Sequence, residues 1–60
     1  MHISEKAMKN ILLYDIYVKV IVNFNGDLEF LICHKKDDIV CCDNIYTIGA
    51  LENALENWGY

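Results

Sequence analysis

The chain contains no arginine, no proline and no glutamine, with a single serine (Ser4), a single threonine (Thr47) and three glycines. Each absence excludes something. Phosphate and base recognition lean on the bidentate fork of arginine, so an arginine-free chain of net charge −4 is unsuited to direct nucleic-acid binding and is repelled by anionic membranes. With one serine and one threonine, both placed where helices begin, no hydroxyl nucleophile has an evident base. No glycine-rich phosphate loop exists. His2 lies at the terminus and His34 stands beside two lysines, so neither histidine has a catalytic partner in sequence. These observations point to a non-enzymatic chain with no cofactor.

Long apolar runs are also missing. Ile11-Leu12-Leu13-Tyr14 stops at Asp15, which gives no convincing signal peptide, and nothing approaches the roughly 20 apolar residues of a membrane helix. Cysteine is present as three residues, Cys33, Cys41 and Cys42, an odd count with two adjacent, unlike the even, spread pattern of secreted mini-domains. They read as reduced thiols of a cytoplasmic protein. Cys33-His34 and Cys41-Cys42 offer zinc-type ligands, but neighbours on a strand point to opposite faces. At most two of the four share a side, and no metal site is expected.

What the chain does have is apolar content, 55% over 60 residues. That is one small domain, 1–60, near the size at which a core barely sustains a fold. Surplus apolar surface in such a domain is usually covered by a partner or a second copy.

The strongest local signal is Asn25-Gly26 between two strand-like runs, Asp15 to Asn23 and Asp27 to Lys35. A two-residue turn would mix polar and apolar side chains on both faces. A three-residue turn, with Phe24 and Asn25 in type I geometry and Gly26 as a left-handed bulge, sets Val22 against Leu28, Val20 against Phe30 and Val18 against Ile32. That register makes one face apolar throughout, so it is the expected one. The other face then carries Tyr17, Lys19, Ile21 and Asn23 beside Asp27, Glu29, Leu31 and Cys33.

Ile3 to Leu13 reads as a helix capped by Ser4, with Ala7, Met8, Ile11 and Leu12 inward and Lys6, Lys9 and Asn10 in water. A start at Met8, with residues 1–7 as a loose leader, is the alternative. Lys35 to Asp38 is a turn, Ile39 to Cys42 a short third strand, and Thr47 to Trp58 a helix capped by Thr47 and ended by Gly59. Its stripe is Ile48, Leu51, Leu55 and Trp58, with Glu52, Asn53 and Glu56 on the far side. The expected fold is α+β: a short N-terminal helix, a three-stranded antiparallel β-meander and a C-terminal helix, with both helices on one face of the sheet.

Five carboxylates, Asp37, Asp38, Asp43, Glu52 and Glu56, are the candidate partner-binding residues. A solvated acidic exterior that aids solubility explains them as well as a surface fitted to a basic protein groove. A second candidate is a homodimer face built from Tyr17, Ile21, Leu31 and Cys33, with Lys19 and Glu29 at the rim.

The order helix, three strands, helix is that of double-stranded RNA-binding domains, but Asp37, Asp38 and Asp43 stand where those domains carry a basic cluster. The capped opening Ser4-Glu5-Lys6-Ala7-Met8, the meander and the closing Leu51-Glu52-Asn53-Ala54-Leu55-Glu56 resemble the plan of small acidic phage-encoded inhibitors of the anti-CRISPR type. The resemblance implies a protein that blocks a larger host protein in the host cytoplasm.

Overall fold

The computed structural model describes residues 3–59, so the reading of His2 lies outside the described residues. The elements are α1 (Glu5–Leu13), β1 (Ile16–Val22), β2 (Leu28–His34), β3 (Val40–Ile45) and α2 (Ile48–Glu56). The strands form one sheet in the order β1-β2-β3, antiparallel throughout. This is the α+β meander that the sequence pattern predicts.

The hairpin adopts the bulged register. Val22 pairs with Leu28, Val20 with Phe30 and Val18 with Ile32. Gly26 donates its N–H to the Asn23 carbonyl at 3.0 Å with φ at +85°, and Asn23 donates to the Asp27 carbonyl at 2.9 Å. The Asn23 side chain locks the turn further, its Oδ1 accepting the N–H groups of Asn25 and Asp27 at 3.0 Å each.

The buried core joins Ile16 and Ile32 from one face of the sheet, Ile45 from the end of β3, Ala7 from α1, and Leu51 and Leu55 from α2. Val18, Phe30, Ile11 and Trp58 pack around it. The apolar face is not covered along its length, however: Val20, Val22 and Leu28 are 55%, 65% and 60% exposed. The reason is geometric. Nine helical residues span about 13 Å, whereas a seven-residue strand spans about 23 Å. The hairpin therefore overhangs the helices that cover its base.

The third strand does not stop at Cys42. It continues through Asp43 and Asn44 to Ile45, with Asn44 at a φ of +58° and the ladder shifting so that Phe30 pairs with Ile45 and Ile32 with Cys42. Asparagine tolerates this left-handed backbone better than most residues. The bulge turns the Asn44 N–H onto Glu29 Oε2 at 3.0 Å, and brings Ile45 inward.

Both helices begin at the expected caps. Ser4 Oγ accepts the Ala7 N–H at 3.2 Å, and Thr47 Oγ1 accepts the Ala50 N–H at 3.1 Å. Residues 3–7 thus belong to the fold rather than to a loose leader. The inward stripe of α1 is rotated from the expected one, since Ala7 is buried while Met8 and Leu12 are 50% and 75% exposed. Asn10 accounts for the rotation. Its Nδ2 donates to the carbonyls of Leu55 (2.8 Å) and Glu56 (3.2 Å), which drags that side of α1 toward the C-terminal end of α2.

Candidate protein-docking surface

Of the five candidate carboxylates, two are withdrawn from solvent by the fold. Glu52 Oε2 accepts the backbone N–H of Ser4 at 3.2 Å, and Glu56 Oε2 accepts the Ser4 hydroxyl at 2.5 Å. Both side chains are half-buried rather than on a free far side. The cause is electrostatic. The unsatisfied N–H groups at the start of a helix attract negative charge, and Ile3, Ser4 and Glu5 lie beside Ile48, Gly49 and Glu52. The two helices run in the same sense, so the carboxylates of α2 complete the cap of α1. Asn10 returns the service at the other end.

The remaining three stay at the surface, Asp37 and Asp38 side by side in one turn and Asp43 on β3. Asp37 Oδ1 accepts the Ile39 N–H at 3.2 Å, organising the turn between β2 and β3. Asp38, at a φ of +62°, lies 3.4 Å from Lys19 Nζ. That pair is partly exposed and worth little. Asp43 accepts a bond from its neighbour Asn44 and rides on the bulge of β3. The five carboxylates do not make one acidic face.

The proposed homodimer face is likewise divided. Tyr17, Lys19 and Ile21 are half-buried, but Glu29, Leu31 and Cys33 are buried within the single chain, at 8%, 9% and 0% exposure. They sit on the central strand, which has a neighbouring strand on each side. Glu29 is spent on the Asn44 N–H. A flat face using all six residues is therefore absent.

The cysteines differ in environment: Cys33 is buried, Cys41 exposed and Cys42 half-buried, all as free thiols. Among the described residues no group of three or more His, Cys, Asp or Glu side chains converges as a metal site would require. No described helix is long and apolar enough to cross a membrane.

The surface that the structure does build lies at the hairpin end. Phe24 is fully exposed at the tip, beside a shallow cleft lined with Ile21, Val22, Asn23 and Glu29, and Val22 and Leu28 are exposed opposite each other behind it. A type I turn needs no aromatic residue at that position, and the core gains nothing from this one. An apolar side chain in a turn segment was the sequence signal for it.

No protein-family profile matches the chain, and no curated protein and no solved structure matches it either.

Proposed function

We propose that the chain is a non-enzymatic protein-binding module, an inhibitor of the phage or mobile-element kind (anti-CRISPR or other anti-defence), that blocks a larger host protein in the cytoplasm. The observation that carries this reading is Phe24. It is a large aromatic held in water at the apex of a turn whose backbone is fixed by four hydrogen bonds from or to Asn23. Aromatic anchors on rigid elements lose little freedom on binding, and they dominate binding energy in protein interfaces. Val22 and Leu28 extend the contact, and Asp27 in the same turn brings negative charge beside it, which suits a partner with a basic rim.

The acidic component of the contact is thereby narrowed to the aspartates, because Glu52 and Glu56 are engaged inside the fold. The chemistry also favours a binding role over a catalytic one, since the polar side chains with internal partners serve as caps, turns and bulge contacts.

The test is a phage-plating assay in bacteria that carry CRISPR or another defence system against the challenge phage. The expected result is raised plating efficiency with the native chain and none with Phe24→Asp, whose circular dichroism stays native. Indifference of every defence system tried, with no Phe24-dependent complex recovered from the same cells, overturns the reading.

A further inference from the structure

We infer that β1 is a pairing edge, and that its occupant is the same strand of a second copy, running antiparallel to make one continuous six-stranded sheet. β1 is an outer strand. In an antiparallel ladder alternate residues bond the neighbour, and two bonds fix which: Asn23 N–H to Asp27 at one end, Lys35 N–H to the Asp15 carbonyl at the other. The odd-numbered residues of β1 thus face β2. The N–H and C=O groups of Val18, Val20 and Val22 point outward, and among the described residues no backbone group outside the sheet bonds them.

Edge strands in monomers are blunted by bulges, prolines or free charges. The opposite edge, β3, shifts register twice, at Asp43-Asn44 and again between Val40 and Cys42. β1 has neither bulge nor proline, and its one charge, Lys19, sits on the other face beside Asp38 of the same chain.

A second apolar element lies along the same edge. Asn10 marks the side of α1 that meets α2, and Met8 and Leu12 stand one turn apart on the opposite side. Because α1 packs on β1, that side overlooks the free edge. A second strand laid there would cover Val20 and Val22 and bring the two α1 flanks together.

Charge selects a second copy over a basic partner. β2 carries Glu29 and β3 carries Asp43, whereas Ile16–Val22 contains no carboxylate. Two chains of net charge −4 repel least where they meet along β1. In the antiparallel pair valine meets valine, and with Val20 on the two-fold axis Lys19 of one copy faces Ile21 of the other, so no like charges are opposed.

Sedimentation equilibrium of the native chain tests this, together with Val20→Pro and the double variant Met8→Lys, Leu12→Lys. Proline is tolerated at an edge position whose N–H does not bond the sheet. Expected is a mass of twice 7.0 kDa for the native chain at about 100 µM, and a single-chain mass for both variants with native circular dichroism. A native chain that stays monomeric, or a dimer that survives in a folded Val20→Pro protein, overturns the proposal. Amide exchange reads the native chain directly: Val18, Val20 and Val22 should lose protection on dilution, and protection independent of concentration refutes the pairing. The measurement uses no host partner, so its outcome is separate from that of the plating assay.

Discussion

The carboxylate of Glu52 accepts the backbone N–H of Ser4 at 3.2 Å, across 48 positions of sequence. Within a single helix that bond is made by a glutamate three residues after the cap. Here the third residue is Ala7, buried in the core, and the carboxylate comes from the last helix instead.

Ser4→Ala removes the acceptor of the Ala7 N–H and the donor to Glu56 together. The expected loss is about 1–2 kcal/mol, read from urea unfolding. Glu56→Ala should cost clearly less in the Ser4→Ala background than alone. Additive effects within about 0.3–0.5 kcal/mol would show that the two side chains are uncoupled.

Asn10→Ala takes one amide from two carbonyls, Leu55 and Glu56. A loss of about 1–3 kcal/mol is expected if those acceptors are left poorly hydrated, with faster amide exchange through the end of α2. Lys9→Ala, one position away on the water side and paired only with exposed Glu5, should change stability by less than about 0.5 kcal/mol.

Two changes in one turn should behave oppositely. Gly26→Ala places a side chain at a φ of +85°; nothing crowds the new carbon, so the cost is that of the backbone alone, about 1–2 kcal/mol. Phe24→Asp, next but one, should leave the thermal midpoint unchanged while removing the binding activity.

Glu29→Ala leaves the Asn44 N–H without its acceptor at the bulge. A destabilisation of about 1–3 kcal/mol is expected, and Glu29→Gln, which keeps an acceptor oxygen, should recover most of it.

Thiol labelling under native conditions should modify Cys41 first and Cys42 more slowly, with Cys33 reacting only on unfolding. Equal reactivity of the three would contradict the burial of the outward side of β2.

The parts of this fold that were legible in the sequence are those set by neighbours along the chain. Ser4 and Thr47 cap where the pattern places them, and Gly26 selects the register because only a bulged turn sets Leu28, Phe30 and Ile32 on the same side as Val22, Val20 and Val18. What could not be read was set at long range. Glu52 and Glu56 lie on a polar stripe by periodicity, but the end of another helix claims them. Asn10 looks solvated until the carbonyls of α2 arrive. Asp43-Asn44 resembles a loop, and becomes strand because Glu29 stands opposite to take up the displaced N–H. Of the candidate surface, Asp37, Asp38 and Asp43 are exposed as their turn and strand-end positions predict, while the local sequence marks Phe24 as a turn residue.

The cap shared between α1 and α2 bears on synthesis. A ribosome adds about 5–20 residues each second, so Ser4 must wait on the order of 2–10 s after it is made before Glu52 and Glu56 exist. The helix made first is completed by one made after the whole meander. A nascent chain halted anywhere in the meander would expose an unfinished α1 and bare valines at once, which makes early release a hazard for clumping rather than a source of working fragments.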